Sequence, residues 1–492
     1  MRSARGPATS PRPSCPTRSW WTTCEYTTWW THRRRAGRRM RVFGALLLVL
    51  VGASLIAWKI QPAPAPPGIT PLIWVSDDNP ARRAHIEQFN RLNPDLQIRL
   101  DPDNGGMEKV IVQSLAGVGP DLFDCYGAAQ LAAYVKAGIA WDVTEELRKD
   151  GVDIQHDVWG ATLPYVLYEG RTYGFPANTA VDVLWFNKDV FDKLGLPYLE
   201  NRPRTWEAFL PLAKKLTRRD ADGRIQHFGL SFDPWAWKFF LYQWGGRVYS
   251  DDGTRCVLDS PQAVGAVQFL HDLIYKHKAM PSPADEEALA QQGGWGSASI
   301  KFLGAGRLAT AVGGRWWLCT LRDYKGLRLG AVESPHGPLR RFWGYGKSTV
   351  INCNSPRRRQ ALRFLRYMTG LPYNRLINQQ ADGLAPMIRY CTDKTLFNPH
   401  FPQEDYHRVF REVMPLGEPE QISPFVNAAA AEQLISIQLD LVRRDAKSAA
   451  AAMKTAAEQV NEEMTKNLRR NPALRRQWEK LTNANNREGV AP

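Results

Sequence analysis

The sequence predicts an α/β protein preceded by one hydrophobic segment, and three observations carry that prediction. Short apolar strands alternate with amphipathic helices from Leu72 onward, the pattern of a parallel sheet. A single apolar run, Phe43 to Trp58, is followed by a Pro/Ala-rich linker, Gln61 to Pro67. The chain has 492 residues and 44% apolar content, enough for two or three ordinary domains with their own cores.

Taken in order, residues 1–42 are a basic extension. Ten arginines against Glu25 give this segment +9 of the net +15, leaving +6 on the other 450 residues. A modest charge spread over a large domain is a solvated surface and implies no nucleic-acid partner. Arginine ahead of an apolar run keeps the N-terminal flank cytoplasmic and sends the rest across. The run reads as an uncleaved membrane anchor or a cleaved signal segment, and Met40 is an alternative start. Five cysteines follow the run, with no CxxC and no zinc spacing, so neither a disulfide scaffold nor a metal site is expected.

The first strand is Leu72 to Val75, followed by the polar loop Ser76-Asp77-Asp78-Asn79. Pro80 suits the first turn of a helix over Ala81 to Leu92, with Ala84, Ile86, Phe89 and Leu92 as its inner stripe. A strand (Leu96 to Leu100), a helix (Met107 to Ala116), a strand (Asp121 to Phe123) and a helix (Gln130 to Ala137) come next. Asp182 to Asn187 reads as a strand and Lys188 to Leu194 as a helix. Thr205 caps a helix from Trp206 to Leu216, and Ser260-Pro261 opens another, Gln262 to His277. Leu308 to Val312 and Ser348 to Ile351 read as strands, and Arg357 to Met368 as an amphipathic helix. From Ala430 to Asn467 the chain reads as almost wholly helical, with Leu434, Ile437, Leu441, Ala449 and Val460 inward.

Several phrases occur in a familiar order. They are Pro120-Asp121-Leu122-Phe123 with Ala137-Gly138-Ile139, Arg171 to Pro176 with Leu184 to Phe191, Pro203 to Glu207, and Phe302 to Trp316. With them the chain resembles the bacterial extracellular solute-binding proteins of carbohydrate ABC importers, the group that includes maltose-binding protein. The resemblance runs through most of the exported part, and it departs at the front, where no lipid-modifiable cysteine lies between Cys24 and Cys125. It implies a two-lobe periplasmic-binding-protein type II fold with a hinge and an interlobe cleft. Lobe 1 would take 70–178 and 303–344, and lobe 2 would take 179–302 and 345–488. It also implies a lipoprotein or a free periplasmic protein; with the apolar run Phe43 to Trp58, the expectation is a monomer in the periplasm or tethered by that segment to the outer face of the inner membrane. That monomer would capture a sugar or oligosaccharide for the membrane subunits of an ABC permease, with no cofactor and no catalytic residue.

Sugars present apolar C–H faces flanked by hydroxyls, so a site for them needs flat rings and planar hydrogen-bonding groups. Candidates on the expected loops are Ser76, Asp77, Asp78, Asp124, Tyr126, Asn178, Asp182, Asp233, Trp235, Trp237, Trp295, Arg315, Trp316, Trp343 and Tyr345. Each has a structural alternative: any of these tryptophans can be core, and Asp77 or Asp78 can cap the helix at Ala81. Two other functions compete. A membrane-tethered sensory protein would use the same fold. A glycan-processing enzyme would need two carboxylates flanking the cleft, for which Asp77, Asp124 and Asp233 are available. GxSxG, HExxH and the Walker lysine pattern are absent.

Overall fold

Strand β1, Thr70–Val75, seeds the first sheet, and Leu72, Trp74 and Val75 are buried in it. The structure is a computed structural model that describes residues 43–54, 65–102, 106–199, 203–219, 221, 225–289, 297–392, 394–402 and 406–487. The chain divides into two units, Met1–Pro67 and Gly68–Pro492. In the first, residues 43–54 form a helix. Among the described residues no helix is long and apolar enough to cross a membrane. The basic extension over 1–42, positions 55–58 of the expected anchor and 61–64 of the linker lie outside the described residues.

In the second unit, β1 is followed by α1 (Arg82–Leu92), β2 (Leu96–Asp101), α2 (Met107–Leu115), β3 (Leu122–Cys125) and α3 (Ala128–Lys136). β2 and β3 both run parallel to β1, with Leu72 opposite Ile98 and Trp74 opposite Leu122. The helices cross over between them, as parallel pairing requires. The inner face of α1 differs from the apolar stripe expected. Arg82, His85 and Phe89 are buried, while Leu92 is 54% exposed. The cause is the polar cluster described below, which draws Arg82 inward.

The chain returns through β4 (Phe175–Val181), then crosses to the second sheet in one residue, Asp182, to begin β5 (Val183–Asn187). That sheet adds α4 (Trp206–Leu216), β6 (Ile225–Phe232), α5 (Pro261–Ile274), β7 (Leu308–Gly313) and β8 (Leu329–Val332). β7 lies parallel to β6 and antiparallel to β5, whose other neighbour is β8. Thr205 caps α4 as expected, accepting a hydrogen bond from the Ala208 N–H at 3.3 Å.

β9 (Phe342–Ile351) then carries the chain back. It pairs antiparallel with both β3 and β4 and so joins the first sheet. α6 (Arg358–Thr369) and α7 (Leu371–Gln380) pack Leu365, Phe364 and Tyr373 into the same core as Leu72 and Trp74. A short β10 (Gly417–Glu418) pairs with the start of β9. α8 (Ala428–Arg443) and α9 (Ala449–Arg470) close the second lobe by packing on α5.

Two expectations need correction. The resemblance places residues 303–344 in the first lobe, but β7 and β8 are strands of the second sheet, because β7 follows β6 through a crossover and lands beside it. Conversely β9, α6 and α7, assigned to the second lobe, build the first. The span 430–467 is almost wholly helical, as expected, and is made of two helices, α8 and α9. Asp445 turns the chain with φ +57°, and Ser448 caps α9 through the Ala451 N–H at 3.3 Å. The inward face of α8 is Ala431, Ile435, Gln438 and Val442, so Ile437 points to solvent.

Candidate functional site

The loops beyond the carboxyl ends of β1 and β3 face those beyond β6 and β7 across a cavity of about 360 Å³. In open α/β sheets this is where ligands sit. One wall is aromatic. Trp235 lies in a short 3₁₀ turn (Pro234–Trp237) after β6, and Trp316 in another (Arg315–Trp317) after β7. Trp343, Tyr345 and Lys347 are alternate residues of β9, so the period of two puts all three on one face of that strand. The intervening Gly344 and Gly346 face the other way, where a Cβ would come within 2.3 Å of the Ala161 Cβ and 2.5 Å of the Asn178 carbonyl oxygen. Glycine therefore lets β9 lie close against its neighbours while its other face carries rings.

The rings pack on one another. Trp343 and Tyr345 overlap at 4.8 Å with 31° between planes, and Trp235 meets them edge-on at 5.5 Å (68°) and 5.3 Å (85°). Trp316 approaches Trp235 at 6.3 Å. Trp235 is 45% exposed, whereas Trp343 is only 6% exposed. Trp343 and Tyr345 thus brace Trp235, which offers a free face. A relay holds the brace. The Trp316 indole N–H donates to the Tyr345 hydroxyl at 2.9 Å, and that hydroxyl donates to Asp182 Oδ1 at 2.7 Å. Burial pushes the Asp182 carboxyl up to about 7, and that of Asp233 up to about 6.

The opposite wall is charged and amide-rich. The Lys347 ammonium is paired with Asp77 and lies 3.1 Å from Asp124. Arg82, fully buried, donates to Asp382 at 2.9 Å and sits over the Trp74 ring at 5.1 Å. Asn79 and Asn178 both direct their amides at Asp382, at 2.9 and 3.4 Å. Asp382 is presented by a tight turn in which Ala381 (φ +58°) and Gly383 (φ +84°) both adopt left-handed backbone. For alanine that conformation costs on the order of 1 kcal/mol, and such strain persists where surrounding contacts dictate it. Burial alone would raise the Asp77 carboxyl, but Lys347 and Arg82 outweigh it and hold the group well below the usual carboxylate range. Burial and Arg82 would likewise discharge Lys347, and Asp124 and Asp77 keep it protonated.

Of the residues singled out in the sequence, Asp77, Tyr126, Asn178, Trp235, Trp316, Trp343 and Tyr345 line this cavity together. Tyr126 donates its hydroxyl to Asp77 at 3.0 Å. Ser76 and Asp124 stand behind the wall: Asp124 accepts from the Trp74 indole and the Thr349 hydroxyl, both at 2.8 Å, and Ser76 donates to it. Asp182 and Asp233 are buried outside the lining. Three candidates do not belong here. Asp78 faces solvent and pairs with Arg83 at 3.2 Å. Trp237 is core of the second lobe, buried although it shares the 3₁₀ turn of the half-exposed Trp235. Arg315 is fully buried and clamps backbone, donating to the Gly383 and Asn378 carbonyls at 2.9 and 2.5 Å. Trp295 lies outside the described residues.

Sequence reading missed Asn79, Lys347 and Asp382, which line the cavity, and Arg82 behind them. Lys347 had a signal, a lone cation two residues beyond Tyr345 in the same alternation. Asp382 had none, being 300 residues from the arginine it holds.

The family model described as bacterial extracellular solute-binding protein matches residues 75–373. The chain belongs to that family. This solute-binding protein is 22% identical over 314 residues to an arabinooligosaccharide-binding protein of Halalkalibacterium halodurans, covering 60% of this chain and 66% of the relative. It is 26% identical over 203 residues to the sn-glycerol-3-phosphate-binding periplasmic protein of Escherichia coli, covering 38% and 44%. The chain thus spans only part of the curated relatives it matches, less than two thirds in both of these cases. Among solved structures, an ABC substrate-binding protein from Listeria monocytogenes in complex with cycloalternan superposes with a TM-score of 0.68 at 21% identity, covering 81% of this chain and 99% of that one. Maltose-bound MalE3 of T. maritima gives 0.65 at 21% identity, over 80% and 99%. These establish the two-lobe α/β fold of a solute-binding protein.

Proposed function

We propose that this protein captures a neutral saccharide between its lobes and releases it, unchanged, to the membrane subunits of an ABC importer. It would act at the outer face of the bacterial inner membrane, held there by its N-terminal apolar segment. The observation that carries the reading is the pairing of walls. Trp235, braced by Trp343 and Tyr345, offers an aromatic face opposite Asp77, Asn79, Asn178 and Asp382, which offer hydroxyl partners in one cavity. That is the division of labour a sugar demands, rings for its C–H faces and amides or carboxylates for its hydroxyls.

Charge argues for a neutral ligand over a phosphorylated one. The cations nearest the cavity, Lys347 and Arg82, are already held by Asp77, Asp124 and Asp382. An incoming phosphate would meet three carboxylates against two cations, with no unshared donor charge from this group. The same geometry argues against glycan hydrolysis. A general acid must reach the glycosidic oxygen with a raised pKa. Asp182 and Asp233 have raised values but do not line the cavity, whereas Asp77 lines it and is held ionised.

The test is tryptophan fluorescence of the full chain, in a detergent without a sugar headgroup, titrated with neutral mono- and oligosaccharides and with sn-glycerol 3-phosphate. Saturable change with a neutral saccharide and none with the phosphate is expected. The reverse order would sink the reading.

A further inference from the structure

A second cavity of about 410 Å³ adjoins the first, and the two share Tyr126, Trp235 and Trp343 as walls. Each alone is at the low end of the roughly 300–1,000 Å³ typical of small-molecule sites. The second is bounded by α3 and by the segment from Glu420 into α8, through Ala129, Gln421 and Ala429. Its mouth thus lies between the two lobes, as that of the first does.

Two details tie the chambers together. Trp343 lies at their seam, so a ligand that spans the two chambers must pass its ring. The second chamber also has no cation to spare in Lys238, which is gripped by Glu420 at 2.9 Å and Glu432 at 3.2 Å and stacked over Trp343 at 5.7 Å. Glu420 is fixed in turn by the Ala128 N–H at 3.1 Å. An acidic sugar would meet carboxylates there, whereas neutral hydroxyls would find Gln421 and the Glu432 carboxylate as partners.

We infer that the cleft takes a neutral oligosaccharide of at least two rings, one unit in each chamber, lying across Trp235 and Trp343 at the seam. The inference rests on the saccharide reading above and goes further by specifying ligand length and charge.

The experiment compares equilibrium affinities of the full chain, in a detergent without a sugar headgroup, for a neutral monosaccharide and its own di- and trisaccharides. The longer ligands are expected to bind at least about tenfold tighter, equivalent to about 1.4 kcal/mol. Ala429→Trp, at an exposed position, fills the second chamber without touching the first. It should erase that gain and leave the monosaccharide affinity within about twofold. Ala129→Trp fills the same chamber from α3 and carries the comparison if the other variant does not melt like wild type. Equal affinities for all lengths, with both fillings silent, would overturn the inference and leave saccharide capture standing. Failure of every saccharide to bind would remove both.

Discussion

Lys347 keeps its charge although almost none of its side chain reaches solvent, because Asp77 and Asp124 flank the ammonium. Removing one partner of such a group strands the others, at a cost of about 3–5 kcal/mol. Lys347→Met is therefore expected to lower the urea midpoint of unfolding by that order and to weaken saccharide binding. A variant with wild-type stability would contradict the charge pairing. Asp182 makes a second prediction. Its folded pKa, about 7, lies above the ordinary carboxylate value of 3.8. The folded state holds a proton that the unfolded state releases, so this contribution to stability is complete below about pH 4 and is lost as pH rises through 7. Buried His85 and His407, held low by burial and by Arg82 or Arg315, run in the opposite sense. The quantity to read is the difference in melting temperature between wild type and Asp182→Asn. It should move against wild type between pH 5 and about 8, and a flat difference would rule out the buried carboxyl as its source.

At the scale of elements, β9 organises the site and was only half legible. Val350 and Ile351 announced a strand, while Gly344, Gly346 and Lys347 are poor strand formers and hid its first half. They are there because the strand must approach β4 closely and present a cation. α1 misled for a related reason: its apolar periodicity pointed one way, and the fold turned Arg82 and His85 inward to serve the charged wall. Strand and helix existence followed well from periodicity, as at β1, β2 and α4, because those elements answer only to packing. Residues in loops were harder. Trp235 and Trp237 share one turn, yet the first lines the cavity and the second is core, which no spacing rule distinguishes. Close packing also gives a prediction at this scale. A Cβ on Gly229 of β6 would come within 1.8 Å of the Ala213 carbonyl on α4. Gly229→Ala should push the helix from the sheet and destabilise by about 1–3 kcal/mol, read as a lowered denaturant midpoint. An unchanged midpoint would mean the helix does not seat there.

Across the whole folded unit, the chain crosses between the two sheets at Asp182 and returns in β9, so residues at the crossings touch both lobes and the cleft at once. Tyr345 illustrates this: it lines the cavity, braces Trp235 and ties Trp316 to Asp182. Ligand that draws the lobes together would favour one arrangement of these contacts, by differential affinity for the closed form. The allocation of segments to lobes could not be read from motif order, because it depends on which strands pair across hundreds of residues. The most direct test is calorimetric titration of wild type and Trp235→Ala with the same neutral saccharides. The account predicts one-to-one binding of at least one saccharide, weakened by roughly 30-fold when the exposed ring is removed, about 2 kcal/mol of lost apolar contact. Identical binding by the two proteins, or no heat with any saccharide, would contradict it.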